Sequence, residues 1–181
     1  MKKLLPLILV FLVGCAGTDP AMDEVLALRS RILAAESIRF SVTVGADYIT
    51  NIEEFSLDCV QNGETMSFRV REPEEIEGIC GTVRGSEGTV GFDETVLAFP
   101  LMAEGRLSPL SGPWVMMKAL RSGNILAAGR EGEWIHLVID DSYEDNALTL
   151  DIWLEEGWPI QAEIAWEGRR CLTMTFDDFS A

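Results

Sequence analysis

The spacing of apolar residues along the chain changes near residue 37. Before that point they recur every three or four positions, which predicts an amphipathic helix ending near Glu36. Asp19 suits the N-cap of this helix, and Pro20 suits its first position. The apolar stripe must pack on another part of the domain, and it consists of Met22, Val25, Leu28 and Ile32.

From Ile38 onward the period is two, which is typical of half-buried strands. Asn62-Gly63 predicts a tight hairpin turn. Residues 100–113 carry three prolines and interrupt the strands, and a short helix with Trp114 and Leu120 on its apolar face follows them. The predicted strands are 38–48, 55–59, 66–70, 79–84, 89–92, 96–99, 134–139, 147–154, 159–166 and 171–176.

This order of elements predicts a mainly β fold with helices. One strongly curved antiparallel sheet would hold an N-terminal helix and a mid-chain helical lid in its hollow. Two arrangements fit the pattern: the hollow admits a ligand, or the helices fill it and its residues are ordinary core. The residues predicted to line and cover the hollow are Phe40, Val42, Leu57, Phe68, Phe92, Trp114, Met117, Leu150, Ile164 and Trp166.

The first residues are typical of a secretion signal. Lys2 and Lys3 precede an apolar run that ends at Val13, about ten residues long, whereas a membrane-spanning helix needs about 20. Leu12-Val13-Gly14-Cys15 resembles the lipobox of bacterial lipoproteins, in which the cysteine receives a diacylglyceryl group and becomes the new N-terminus. We therefore expect a signal peptide at 1–14, a lipidated Cys15 with a short tether at 15–19, and one domain at 20–181. No cofactor is expected besides this covalent lipid.

The charge of the chain restricts its partners. It carries 30 acidic and 14 basic residues, and loss of residues 1–14 would take the formal charge from −16 to −18. Such a surface is repelled by nucleic acid and by anionic lipid headgroups. Membrane attachment would therefore depend on acyl chains, since two or more of them give stable anchoring. The predicted location is the extracytoplasmic face of a bacterial cell membrane.

Three cysteines remain beyond Cys15. Cys59 alternates with apolar neighbours and is predicted to face the core. Cys80 and Cys171 lie on more polar faces and are candidates for one disulfide. No C-x-x-C spacing is present, so the sequence does not support a thioredoxin-like or zinc site.

Catalytic and metal-binding signals are weak. His136 is the only histidine, and no motif marks a nucleophile and an acid around it. The acidic run 140–145 lacks the pattern of an EF-hand loop, so a solvated turn is favoured over a metal site. The protein is therefore predicted not to be an enzyme, with a carboxylate-dependent envelope hydrolase as the alternative.

The order of elements also resembles the LolA-like superfamily of lipoprotein carriers. The resemblance rests on a helix before the strand opened by Phe40, the loop at 108–114 and the Trp158-Pro159-Ile160 strand. It implies an incomplete barrel whose apolar face accepts acyl chains. An anchored protein cannot act as a soluble shuttle, however, and the anchored chain is more similar to the germination lipoproteins of spore-forming bacteria. That narrower resemblance implies a cell-wall or cortex amidase as the partner.

These observations give one leading functional hypothesis and one principal alternative. In the leading hypothesis, the anchored lipoprotein binds a protein partner at the cell envelope. In the alternative, it binds an acyl chain or a lipoprotein in the apolar hollow.

Overall fold

The structure of the protein is a computed structural model, and it describes residues 19–48, 51–92, 95–103, 106–141 and 148–181. The predicted signal peptide and Cys15 lie outside these ranges. Two α-helices are present within them, α1 (Pro20–Ala34) and α2 (Gly112–Ser122), together with single 3₁₀ turns at Glu74–Ile76 and Pro109–Ser111. The strands are β1 (Ile38–Asp47), β2 (Ile52–Asn62), β3 (Thr65–Glu72), β4 (Cys80–Arg84), β5 (Glu87–Phe92), β6 (Thr95–Pro100), β7 (Met102–Ala103), β8 (Arg106–Leu107), β9 (Asn124–Glu131), β10 (Trp134–Asp140), β11 (Leu148–Glu155), β12 (Trp158–Trp166) and β13 (Arg169–Ser180).

Eleven of these strands form one antiparallel sheet in the order β6-β5-β4-β3-β2-β1-β13-β12-β11-β10-β9. The first and last strands of the chain are neighbours near the middle of the sheet, where Val42 lies opposite Phe176 and Val44 opposite Met174. Strands β6 and β9 are its two edges, so the sheet is not closed into a barrel. The predicted fold class, an open antiparallel sheet with an N-terminal and a mid-chain helix, is confirmed.

The alternation predicted for the strands determines which face of the sheet is buried. In β1, Phe40, Val42 and Val44 are buried, whereas the intervening Ser41 and Thr43 are partly exposed. Strand β9 was not predicted, because its apolar residues run consecutively in the sequence. A register shift opposite Val138 and Ile139 of β10 interrupts the alternation there.

Helix α1 begins as the sequence predicts. Asp19 Oδ1 accepts a hydrogen bond from the backbone N–H of Ala21 at 3.0 Å, and Pro20 occupies the first helical position. The buried stripe contains Val25, Leu28 and Ile32, as predicted, with Ala21 in place of the partly exposed Met22. Neither described helix is long and apolar enough to span a membrane.

Helix α2 lies inside the hollow of the sheet. Its first residue, Gly112, is so close to β13 that an added Cβ would lie 2.8 Å from Leu172 Cδ1. Most of the circumference of α2 is buried, whereas the sequence predicts burial of a single apolar face. The buried residues are Gly112, Pro113, Trp114, Val115, Met116, Met117, Ala119 and Leu120.

The cysteines are free thiols in the described part of the chain. Cys59 is buried, as predicted. Cys80 lies on β4 and Cys171 on β13, and strands β3, β2 and β1 separate them in the sheet. The disulfide considered between Cys80 and Cys171 is therefore not formed.

Candidate functional site

The hollow of the sheet is occupied by the side chains of α2. Met116 and Met117 have no exposed surface, and they belong to the same hydrophobic core as the buried residues of the sheet. Of the ten residues predicted to line or cover the hollow, most lie in this core. These are Phe40, Val42, Leu57, Phe68, Trp114, Met117, Leu150 and Ile164.

Two of the predicted hollow residues are not among the fully buried residues of the core, although Trp166 packs against it. Phe92 is the last residue of β5 and is 60% exposed, so it does not pack in the core. Trp166 is the last residue of β12 and is partly exposed, lining a small cleft with Leu107 and Cys171. Strand alternation predicts the face on which a residue lies but not how far the helices extend along that face.

Aromatic side chains pack together near the C-terminal end of β13. The ring of Phe40 stacks on Phe179, with centroids 4.6 Å apart, and the ring of Trp158 also stacks on Phe179, at 5.4 Å. The guanidinium of Arg31 on α1 lies 4.6 Å from the centre of the Trp158 ring. Helix α1 is thereby held against β12 by a cation–π contact.

A cleft of about 380 Å³ opens beside α2. It lies between the C-terminal part of α1, the β2–β3 hairpin, the β4–β5 turn and one face of α2. Only one of its lining residues, Trp114, is among those predicted for the hollow. The lining residues are Leu33, Gln61, Gly63, Glu64, Gly85, Trp114, Lys118, Arg121 and Ser122.

Hydrogen bonds join α2 to the hairpin across this cleft. Trp114 Nε1 donates to the carbonyl oxygen of Glu64 at 3.4 Å, and Arg121 Nη1 donates to the carbonyl oxygen of Gly63. Lys118 Nζ lies 3.5 Å from an oxygen of Asp141 and 5.8 Å from the centre of the Trp114 ring. The cleft therefore has two cationic groups beside an indole ring.

Gln61 has an unusual environment in the lining of the cleft. The residue is only 4% exposed, and its Nε2 donates to the carbonyl oxygen of Gly63. Its Oε1 has no hydrogen-bond partner among the described residues. A buried acceptor of this kind normally has a partner. No sequence signal marked Gln61, because its surroundings depend on the folded hairpin.

The two edges of the sheet differ in character. Strand β6 has no charged side chain, and its Val96 and Leu97 are 71% and 59% exposed. Strand β9 has charged residues at its end, where Arg130 forms an ion pair with Glu24 of α1. With Phe92 of β5, the two exposed residues of β6 form what we call the apolar edge: Phe92, Val96 and Leu97.

His136 lies between two carboxylates. Its Nε2 is 2.8 Å from an oxygen of Asp151, its Nδ1 is 3.1 Å from an oxygen of Glu131, and its ring stacks on Trp153 at 4.7 Å. Both ring nitrogens thus have protein partners. Within the described ranges, no three His, Cys, Asp or Glu side chains are arranged to hold a metal ion. Residues 142–147, most of the acidic run, lie outside those ranges.

Comparison with known proteins identifies fold relatives but no sequence relatives. No family model matches the sequence. No curated protein matches it either. The structure is similar to that of an uncharacterized conserved protein from Thermus thermophilus, with 12% identity, 88% of this chain and 86% of the other covered, and a TM-score of 0.50.

Two further matches have lower TM-scores. A LolA superfamily protein from Nitrosomonas europaea has 10% identity, coverage of 88% and 92%, and a TM-score of 0.46. A putative outer membrane lipoprotein-sorting protein domain from Vibrio parahaemolyticus has 8% identity, coverage of 87% and 90%, and a TM-score of 0.46. At such identities a likeness concerns the fold and not the function, and the resemblance to germination lipoproteins stays a prediction.

Proposed function

We propose that the protein is a non-enzymatic lipoprotein, anchored through Cys15 at the extracytoplasmic face of a bacterial membrane, that binds a protein partner along β6. The observation that carries this proposal is the apolar edge. The open side of an edge strand presents a row of N–H and C=O groups with which an extended segment of another chain can pair. Natural edge strands are commonly protected by charged side chains, and β6 has none.

The charge of the protein indicates what kind of partner fits. A second copy of the chain without residues 1–14 would bring a second formal charge of −18, so like-charge repulsion opposes pairing of the edge with itself. A neutral or basic segment is free of that repulsion. The apolar side chains of such a segment would cover Val96 and Leu97 while its backbone pairs with β6. A cell-wall or cortex amidase is the specific partner that we propose to test first.

The acyl-chain alternative requires a change in the core. Met116 and Met117 fill the hollow and are fully buried, so an acyl chain would enter only if α2 moved outward.

The hydrolase alternative has a different difficulty. Glycosidases of the usual type place two carboxyl groups on either side of the scissile bond, about 5–10 Å apart. Glu64 is the one acidic residue in the described lining of the cleft beside α2.

Affinity capture from native membranes tests the proposed function. The lipidated protein should retain a protein partner after lipids are extracted, and Leu97→Lys should weaken the complex about tenfold or more, because a charge would be buried in an apolar contact. Leu126→Lys is the matched control, since Leu126 is 56% exposed on the opposite edge strand and should not matter.

Two results would contradict the proposal. One is capture of no specific protein, with lipid alone retained, which would favour the acyl-chain alternative. The other is equal binding by the Leu97→Lys and Leu126→Lys variants, which would place the contact away from β6. Amidase assays on the captured complex then decide whether the partner is an enzyme of the cell wall or cortex.

A further inference from the structure

We infer that β6 binds a short linear peptide segment of about five residues, paired antiparallel with Val96 and Ala98, with a large apolar residue at its centre and no acidic residue. The inference rests on the proposed function, because it specifies what occupies the same edge of the sheet. It follows from three features of that edge: which backbone groups point outward, how far their row extends, and which side chains flank them.

The pairing of β6 with β5 determines which backbone groups point outward. In an antiparallel pair, hydrogen-bonded and non-hydrogen-bonded positions alternate along the strand. The backbone N–H of Leu101, just beyond β6, donates to the carbonyl oxygen of Ser86, so every second residue counted back from Leu101 bonds to β5. The residues between them, Val96 and Ala98, therefore direct their N–H and C=O groups away from β5 and toward the open side.

The outward row of β6 is short. Val96 and Ala98 each present an N–H group there, whereas Pro100, the next residue in the alternation, has none. A strand that pairs with both residues needs three residues to span them, and one more on each side brings it to about five. The long edge strand of another folded sheet would find no donor on β6 beyond Ala98. A short linear segment therefore fits this edge better than a long strand.

The side chain of Leu97 defines the centre of the segment. The central residue would lie opposite Leu97 in a non-hydrogen-bonded pair, where the side chains of antiparallel strands approach most closely. Leu97 is exposed, and it lies on the same face of β6 as Phe99, which packs against the core. A large apolar residue at the centre would cover Leu97 and extend the core beyond the edge of the sheet.

The charge of the protein defines the remaining residues of the segment. The chain without residues 1–14 keeps 12 of its 14 basic residues and all 30 acidic ones, which gives a formal charge of −18. Acidic residues in the segment would be repelled by this charge, and basic residues at its ends would be attracted. Strand β6 itself has no charged side chain, so uncharged residues suit the paired positions.

Titration of the lipidated protein with a synthetic peptide tests the pairing directly. The protein is held in phosphatidylcholine nanodiscs, and the probe is acetyl-Lys-Thr-Val-Phe-Val-Thr-Lys-amide, whose valines would pair with Val96 and Ala98. Amide hydrogen exchange, followed residue by residue by NMR, should slow about tenfold or more at these two positions when the peptide is saturating. Exchange at Leu97 should change little, because its N–H already bonds to β5.

Methylation of the peptide nitrogens separates backbone pairing from side-chain contact. N-methylation of both valines removes the two N–H groups that would donate to β6, so it should weaken binding about tenfold or more. N-methylation of the phenylalanine is the matched control, since the N–H of that residue points away from β6 and affinity should change less than about threefold. Replacing both lysines by glutamate should weaken binding about threefold or more.

Variants of Ala98 test the same pairing from the side of the protein. Ala98→Pro removes one outward N–H and should weaken peptide binding about fivefold or more, whereas Ala98→Val keeps that N–H and should bind as the unchanged protein does. Should Ala98→Pro not fold, the methylated peptides decide, because they leave the protein unchanged.

Three results would overturn the inference: no binding of the peptide, unchanged exchange at Val96 and Ala98, or equal binding of the two methylated peptides. Failure of the proposed function is recognised separately. It appears when Leu97→Lys leaves the complex captured from membranes intact, whereas the exchange rates are measured on the purified protein with the peptide alone. A native complex that Leu97→Lys weakens, with no peptide-dependent protection of Val96 and Ala98, would leave the function standing and remove the backbone pairing.

Discussion

Arg29 of α1 donates a hydrogen bond from Nε to the carbonyl oxygen of Leu120 on α2, at 2.7 Å. Its Nη2 donates to the carbonyl oxygen of Gly123 at 2.8 Å. The last carbonyl groups of a helix lack partners within the helix and carry partial negative charge. One guanidinium thus caps α2 and fixes α1 against it, joining the outer helix to the helix that fills the hollow.

Replacing Arg29 should remove the hydrogen bonds that join α1 to the end of α2. We expect Arg29→Met to lower the free energy of unfolding by about 1–3 kcal/mol, because partly buried carbonyl oxygens lose a charged donor. Arg29→Lys keeps the charge but not the forked geometry, so it should give a smaller loss. Urea denaturation of the three proteins gives the comparison. Equal stability of all three would show that the contact does not hold the helices together.

Truncation of Met117 tests whether α2 is part of the core. Met117→Ala should lower the free energy of unfolding by about 2–5 kcal/mol, since it removes buried apolar volume and leaves a cavity. Leu126→Ala, at an exposed position of β9, should change it by less than about 1 kcal/mol. Similar small effects for both variants would indicate that the hollow has room to relax and that α2 is loosely packed.

Gly88 and Phe99 form a cross-strand pair on β5 and β6. An added Cβ at Gly88 would lie 2.1 Å from Phe99 Cζ, so the ring covers the glycine closely. Gly88→Ala should therefore cost about 1–3 kcal/mol, through displacement of the ring. The cost should fall by at least about 0.5 kcal/mol when Phe99 is already alanine. A double-mutant cycle by denaturation measures this coupling, and additive costs would mean that the ring does not resist the new methyl group.

The three cysteines of the domain should react at different rates. Burial, with the nearby charge of Asp58 as a smaller cause, raises the pKa of the Cys59 thiol, and burial also raises the pKa of Cys171. A raised pKa leaves less thiolate, the reactive form, at any given pH. Cys80 is exposed. Alkylation followed by peptide mass mapping should label Cys80 first, Cys171 more slowly with a gain as pH rises, and Cys59 only after unfolding. Early labelling of Cys59 would contradict its burial.

Cys15→Ser tests the membrane anchor. Without the thiol no diacylglyceryl group can be attached, so the protein should move from the membrane fraction to the soluble extracytoplasmic fraction. Fractionation with mass measurement of the N-terminal peptide checks both location and lipid. The Cys80→Ser protein is a suitable control, since it should stay on the membrane. Continued membrane binding of Cys15→Ser would require another means of attachment.

The fold could be predicted largely from local patterns. The spacing of Val25, Leu28 and Ile32 indicates α1, and the alternation beginning at Phe40 indicates which face of β1 is buried. Turn residues such as Asn62-Gly63 indicate antiparallel neighbours. These signals come from residues close together in the sequence, and they predict only local structure: helices, strands and the hairpins between neighbouring strands. Strand β9 was missed because its apolar residues are consecutive rather than alternating, and a register shift in its pairing with β10 lies at that point.

The candidate site depends on long-range packing that no local pattern specifies. Gln61 appears in the sequence as an ordinary polar strand residue, and only the approach of α2 to the hairpin buries it. Phe92 has the alternation of a core residue, yet it lies at the end of a strand and is exposed. The partner proposed for β6 follows from such a tertiary feature, the exposure of the apolar edge.

The pairing of β1 with β13 has a consequence for the biogenesis of the protein. Because β1, the first strand in the sequence, pairs with β13, the last, the two halves of the sheet meet only through a contact between residues far apart in the chain. Such contacts slow folding, since a long loop must close before they form. During synthesis, which proceeds from the N-terminus, the chain cannot complete its sheet until the 12-residue strand β13 is released. Completion of the sheet therefore waits for β13, whichever order the other strands follow.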